Sequence, residues 1–420
     1  MTIEIEDELA PQRVSLAYRT HLSAGRARVG ELLGGQVEVE SQGAWVVSSD
    51  GRRYLNAGGY GVFIMGARHP LVVEAVERQL HTHPVGSRMF LEPVAARAAE
   101  ALTAVLPASL TRVHFSGSGA EATETAVKLA RLNGRRHLIS MRGGYHGKTL
   151  GALSVTAKDI FQDPFRPLLP DVTHVPYGNL PALTAALAQH TRRACVIVEP
   201  VQGEAGVVIP PDGYLSQVGR LCREYGALLI LDEIQTGLGR TGHWWAFQRE
   251  DVLPDILLTG KALGGGVVPV SAAVASEEVY AVLDRDPFLH TSTFAGAPIA
   301  AAAVCGALRA ITEDGLVERS ARLGARLLPE LEAVVRRHLA GGCVVRGRGL
   351  LIAVEFTDPA MAADLLVDLV ANNVIANHSL NSERVIRLTP PAVLDDAEIV
   401  FLLERFERAV ISTALRYPEA

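Results

Sequence analysis

The stretch Phe115–Arg131, FSGSGAEATETAVKLAR, decides how the chain is to be read. Its core, GSGAEA at Gly117–Ala122, fits the G-x-G-x-x-G/A turn; the apolar run RVHFS (112–116) precedes it and a stripe of Ala122, Ala126, Leu129 and Ala130 follows at helical spacing. A strand, a glycine turn and a helix start offer backbone N–H groups and the positive end of a helix dipole to an anion. The anion is a phosphate, of a dinucleotide or of some other cofactor. A dinucleotide site also wants an acid about 20 residues further on, to hold the ribose hydroxyls. Residues 132–158, LNGRRHLISMRGGYHGKTLGALSVTAK, contain no Asp or Glu, and the first acid is Asp159. The nicotinamide reading is therefore disfavoured.

Outward from this turn lie further short apolar runs: HLISM (137–141), ACVIVEPV (194–201), ALLILDEI (227–234), DILLTG (255–260) and SAAVAS (271–276). Runs without polar alternation predict strands covered on both faces, as in a parallel sheet between helices. Helical stripes intervene, such as Leu215, Val218 and Leu221–Cys222 before ALLILDEI. The middle of the chain is thus a doubly wound α/β domain. Before it, WVV and RYL bracket Ser-Asp-Gly within 43–62, a hairpin signal. After Pro298 come an alanine-rich helix, a glycine-broken run CVVRGRGLLIAVEF (343–356) and a last helix near 395–415, which predict a smaller α+β domain.

Size and charge narrow the function. The 420 residues are 48% hydrophobic, enough for a large core and more than one domain. A net charge of −6 and a pI near 6.1 supply no global basic field, which excludes nucleic acid and anionic membrane as expected partners. Cys195, Cys222, Cys305 and Cys343 lie far apart without C-x-x-C spacing, which suits reduced thiols in a cytoplasmic protein. The start MTIEIEDELA is acidic where a signal peptide is basic, and runs such as ALLIL (227–231) fall short of the ~20 residues that cross a bilayer. No metal is expected. A soluble enzyme acting on small molecules fits best.

Three segments narrow the phosphate's owner. VEPVQGEAG (198–206) and ILDEIQTGLGRTG (230–242) end predicted strands with carboxylates, and LLTGKALGGG (257–266) ends another with a lysine. Ligands of open α/β sheets sit at the carboxyl ends of the strands. A lysine amine, an aspartate and a phosphate loop on one sheet edge are the set that pyridoxal phosphate needs: an amine for its aldehyde, a carboxylate for its pyridine nitrogen and an anchor for its phosphate.

With these motifs in place, SGSGAEATETAVKLAR, GGYHGKTLGALSVT, VEPVQGEAGV, LDEIQTGLGRTG, TGKALGGG, HTSTFAGAP and IRLTPP, the chain from about residue 40 onward resembles the class III pyridoxal-phosphate aminotransferases, the ornithine, acetylornithine and 4-aminobutyrate group of fold type I. The resemblance implies a homodimer with active sites at the interface. It implies an N-terminal segment (1–62) joining the small domain, a large cofactor-binding domain (63–300) and a C-terminal small domain (301–420). Lys261 would be the Schiff-base lysine and proton shuttle, Asp232 the partner of the pyridine nitrogen, and Gln235 a hydrogen bond to the ring hydroxyl. Ser118, Gly119 and Ala120 would cradle the phosphate, with Thr293 reaching it from the other subunit. Tyr145 would stack on the ring, His146 beside it would be structural within the cofactor site, and Glu199 would support the site from behind. Glu204 resembles the family's switch glutamate and Arg387 the arginine it pairs with: the fork binds a 2-oxo acid's carboxylate, and the glutamate neutralises it while an amine is bound.

Within the family the likeness is greatest to putrescine aminotransferases, through GGYGVFIMGARHP, SVTAKDIFQDPFRPLLPDVTHVPYGN and DPFLHTSTF. Lys148 stands where relatives acting on 4-aminobutyrate carry an arginine, and a lysine is a point charge rather than a bidentate fork. The implied donor is a terminal diamine such as putrescine and the implied acceptor 2-oxoglutarate. An ornithine-, acetylornithine- or 4-aminobutyrate-type enzyme, a pathway-specific transaminase, an aminomutase or a decarboxylating transaminase stand as alternatives. The chain departs from the family at Ala295 and Ala297, where Gly-Gly-Asn-Pro is usual, and HSLNSE (378–383) and SRMFLEP (87–93) fall where substrate-lining loops vary.

Overall fold

A computed structural model describes residues 10–339 and 342–417. After the helices Pro11–Ala17 and Ala24–Leu32 come three strands, β1 (Glu38–Gln42), β2 (Trp45–Ser48) and β3 (Arg53–Asn56), antiparallel in that order. The β2–β3 hairpin turns at the expected Ser-Asp-Gly, with Trp45 opposite Leu55 and Val47 opposite Arg53. The central sheet follows: β4 (Leu110–Ser116), β5 (His137–Met141), β6 (Val172–Val175), β7 (Ala194–Val198), β8 (Leu228–Asp232), β9 (Ile256–Thr259) and β10 (Ser271–Ser276). The third sheet comprises β11 (Cys343–Arg348), β12 (Leu351–Phe356), β14 (Asn377–Ser379) and β15 (Ser382–Leu388), all antiparallel neighbours. Between them β13 (Val374–Ile375) returns to pair with β3, joining the first sheet to the C-terminal region.

The central sheet runs β4-β10-β9-β8-β7-β5-β6 and is parallel except for β10, which is antiparallel to both neighbours. Strands β7 and β8 are buried almost throughout, the covered parallel core that their unbroken apolar runs predict. Strand β6 escapes the run criterion. Its VTHV carries two polar residues at its centre and is only partly buried because it lies at the sheet's edge.

The helix Gly119–Leu132 starts at the glycine turn, capped by the Ser118 hydroxyl, which accepts from the Glu121 N–H at 3.3 Å. Its apolar face, Ala122, Ala126, Val127, Leu129 and Ala130, lies on β4, β9 and β10. The alanine-rich helix Pro298–Glu313 packs on the helices Pro70–Thr82 and Pro93–Thr103. Gly306 permits the first contact, since a Cβ there would stand 2.8 Å from the Leu71 carbonyl oxygen. All four cysteines are free thiols, with Cys195 and Cys222 buried.

Candidate active site

Because β7, β8 and β9 are adjacent and parallel, their carboxyl ends deliver Glu199, Asp232 and Lys261 to one edge. Strand β4 runs the same way and brings the Ser118 turn there, while β10 begins at that edge with Ser271 opposite Ser116. The Ser271 hydroxyl donates to the Ser118 carbonyl at 2.5 Å and fixes the turn. Sequence reasoning did not single out Ser271, because a serine opening an apolar strand carries no signal of its own. The helix start leaves the Gly119 and Ala120 N–H groups without an intrahelical acceptor, while the Gly117 N–H donates to Glu121 at 2.7 Å.

Asp232 is 4% exposed. One of its oxygens faces His146 Nδ1 at 2.7 Å and the other accepts from the Ile234 N–H at 3.1 Å. His146 is itself held by its backbone: its N–H donates to the Thr156 hydroxyl, and its carbonyl accepts from the Thr123 hydroxyl, both at 2.8 Å. Burial works against a charge on His146, but the hydrogen bond and charge of Asp232 outweigh it and raise the imidazole pKa. Glu199 accepts from the Tyr145 N–H at 2.9 Å and the Gly203 N–H at 3.1 Å, so it ties together the two loops that follow β5 and β7. Its own burial pushes its pKa up to about 7.

Lys261 is partly buried and takes a left-handed φ of 48°, a conformation costing a non-glycine residue about 1–2 kcal/mol. Burial lowers its ammonium pKa; Glu204 and Asp232 oppose the shift and Arg387 adds to it. A lowered pKa enriches the free amine, the form that bonds a carbonyl or takes a proton.

Glu204 and Arg387 come from different sheets' territories: the loop after β7 and strand β15. Arg387 is 1% exposed, and its Nη2 lies 2.8 Å from both Glu204 oxygens. Its Nε and Nη1 are buried without a hydrogen-bond partner among the described residues. Gln235, also buried, leaves its Nε2 unpaired, and its Oε1 sits so near Gly203 that a Cβ there would meet it at 1.9 Å.

Tyr145 is half-buried, and burial, Glu204 and Tyr60 raise its phenol pKa. Tyr60 joins the rim from the GGYG turn, where Gly59, Tyr60 and Gly61 all take positive φ. That glycine density was the available signal for a residue the motif reading passed over. Thr293 lies apart from this cluster on an exposed loop, where the Arg88 guanidinium donates to the carbonyls of Ser292 and Thr293. His290 anchors that loop to the phosphate-turn helix, 2.8 Å from the Thr125 hydroxyl and 3.1 Å from the Lys128 ammonium. Ala297 caps the helix Pro298–Glu313 with no side-chain bond, so the asparagine usual there has no replacement.

The family pattern "Aminotransferase class-III" matches residues 32–410. The chain belongs to the class III aminotransferases. Solved structures agree with this class III aminotransferase along nearly its whole length. The ornithine aminotransferase of Toxoplasma gondii is 32% identical with a TM-score of 0.89, covering 99% of this chain and 98% of its own; its crystals hold pyridoxal phosphate at partial occupancy. A thermostable (S)-enantioselective omega-transaminase from Thermomicrobium roseum is 30% identical with a TM-score of 0.86, over 96% of this chain and 99% of its own. A transaminase from the marine bacterium Virgibacillus is 28% identical with a TM-score of 0.85, over 91% and 94%. The fold is therefore that of the fold type I transaminases, and the enzyme is a pyridoxal-phosphate-dependent transaminase moving amino groups between amine donors and keto acids. The residues present fit the cofactor: an amine of lowered pKa, a buried carboxylate, free helix-start N–H groups and orphaned donors on Gln235 all face one edge. No helix among the described residues is long and apolar enough to cross a membrane.

Proposed function

We propose that the enzyme transfers an amino group from a terminal primary amine, putrescine or a related diamine, to a 2-oxo acid such as 2-oxoglutarate. The observation that carries this reading is the half-used guanidinium of Arg387. Glu204 engages only Nη2, and Nε and Nη1 stay buried and unpaired. An unpaired buried donor is costly, which favours an incoming carboxylate that accepts from the fork bidentately. With Glu204 in place the charge is covered, and a cationic or neutral chain end is not repelled. Lys148, the other candidate carboxylate clamp, lies exposed with its ammonium 3.8 Å from the centre of the Phe161 ring, which supports a donor lacking a carboxylate. The similarity to ornithine and omega transaminases points to an amine remote from any α-carboxylate.

Pyridoxal phosphate supplies an aldehyde that bonds amines and a ring that accepts electrons. In this reading Lys261 Nζ would be the amine that holds that aldehyde and the base placed to take a proton from the substrate carbon. Asp232 would face the pyridine nitrogen and favour its protonated form, with His146 orienting the carboxylate. The N–H groups of Gly119 and Ala120 and the hydroxyl of Ser118 would hold the phosphate, the unpaired Gln235 Nε2 would be a donor for the ring hydroxyl, and Tyr145 would supply an aromatic face for the ring. Glu199 keeps the Tyr145 and Gly203 loops in register. Thr293 acts in the partner's site of a homodimer. Supporting that assembly, Met89, Phe90, Phe288 and Phe294 are exposed on the segments around Arg88 and Thr293, Phe90 and Phe288 by 85% each.

The test is a single-turnover spectrum of the cofactor-loaded enzyme mixed in turn with putrescine, cadaverine, ornithine and 4-aminobutyrate without oxo acid. Discharge of the lysine-linked cofactor band by the diamines is the expected result. Discharge by ornithine or 4-aminobutyrate alone replaces the diamine with an amino acid donor.

A further inference from the structure

The HSLNSE turn joins β14 to β15, the strand that carries Arg387, and it reaches back to the carboxylate on which Arg387 closes. The Leu380 N–H donates to Glu204 Oε2 at 3.0 Å, so a second donor shares the oxygen that Arg387 holds. The Asn381 N–H donates to the Glu204 carbonyl at 3.0 Å. The Asn381 side chain donates from Nδ2 to the Gly143 carbonyl at 2.7 Å, two residues from Tyr145. Finally, the Lys158 ammonium donates to the Asn381 carbonyl at 2.9 Å. Four hydrogen bonds thus bind a two-residue turn to three segments of the large sheet's edge. Two of the stretches set apart in the sequence, SVTAKDIFQ and HSLNSE, meet here through Lys158 and Asn381.

We infer that the Leu380–Asn381 turn is a latch that holds Glu204 over Arg387, and that Asn381 is a positioning residue setting how readily the arginine is uncovered for a carboxylate. The inference rests on the Glu204–Arg387 reading given above. When Glu204 withdraws, two of its hydrogen bonds are lost. The donor on Arg387 is satisfied again by the incoming carboxylate, but the Leu380 N–H is not, unless the turn moves into water. Leu380 is 38% exposed and stands where it can do so, whereas Asn381 is 8% exposed and anchors the turn against it. An anchor in a buried position adds its hydrogen bond to the closed state alone, and a ligand that binds only the open state must work against that bias. Removing the anchor therefore tightens carboxylate binding, the reverse of what damage to a binding site does.

The experiment measures binding of glutarate, a dicarboxylate that cannot accept an amino group, to the holoenzyme by isothermal titration calorimetry. Asn381→Ala is expected to lower the dissociation constant about fivefold, the loss of one ordinary hydrogen bond from the closed state. Lys158→Met, which removes a more peripheral bond, should lower it about twofold and serves alone where Asn381→Ala does not fold. Glu204→Gln is the control and should also tighten glutarate, because Arg387 loses its charged cover. Unchanged or weaker glutarate binding in both Asn381→Ala and Lys158→Met, with Glu204→Gln tightened, overturns the latch and leaves the pair reading intact. Failure of Glu204→Gln to tighten glutarate overturns the pair reading and the latch with it.

Discussion

Asp232 and Glu204 are equally hidden, 4% and 3% exposed, and each faces a buried cation-forming side chain. They are wired differently. Asp232 ends a strand, and its partner His146 is pinned through backbone bonds to Thr156 and Thr123, so every support lies on one sheet's edge. Glu204 sits on a loop, and its partner enters from another sheet with two of its three guanidinium nitrogens unpaired. Burial alone does not say what a charge is for. A carboxylate held on rigid elements works as a permanent field, which serves both halves of an exchange alike. A carboxylate that covers only part of its cation's donors leaves the rest open to a competing anion, and such a pair should affect the halves unequally.

The largest effect removes the group that both ends serve. Lys261→Ala should keep the fold, lose the visible band of the lysine-linked cofactor and lower turnover by about 10⁴-fold or more; wild-type turnover in this variant would end the mechanism. Next, Asp232→Asn should slow the amine and oxo-acid half-reactions together by about 10³-fold, the upper cost of losing a preorganised electrostatic partner. Stopped-flow traces of each half-reaction give the answer, and an unequal loss would break the contrast drawn here. Arg387→Ala should slow the oxo-acid half-reaction about 100-fold and the amine half-reaction by less than about tenfold, as expected for charge-assisted bonds made to one substrate only. Equal losses would make the two ends alike.

The smallest effect concerns stability of the cofactor-free protein. The folded His146 pKa is raised above its unfolded value of about 6.5. A raised histidine stabilises most below the unfolded value, and the contribution disappears as pH rises through the folded one. Denaturant melts from pH 5 to 9 should show wild type losing its advantage over His146→Gln as pH rises. An advantage that grows with pH reverses the sign and removes the ion-pair account of the fixed end.

Much of this architecture was legible beforehand. HLISM and SAAVAS became β5 and β10 with their predicted bounds, since unbroken apolar runs between turn residues have few other ways to be buried. Strand β6 was not legible, because a partly buried edge strand needs no unbroken apolar run, and VTHV, four residues with two polar ones at its centre, reads like many loops. Ser271 and His290 were invisible as site residues for a related reason. Each acts through a contact with a residue far away in the chain, Ser271 with Ser118 and His290 with Thr125. Nothing in the local pattern around them records that partner.

By itself the sequence determined the chemistry: which residues end the strands, which turn opens the helix, and hence a lysine, an aspartate and a glycine turn on one edge. Local physics suffices there, because strand ends and helix starts are set by apolar runs and glycine turns within a few residues. Only the tertiary structure decided how Arg387 meets Glu204, how many of its donors remain unspent, and that Asn381 is bonded to Lys158, Gly143 and the Glu204 backbone. Those contacts join segments up to 238 residues apart, and hydrogen-bond geometry at such a distance is settled by packing between sheets rather than by any neighbourhood in the chain.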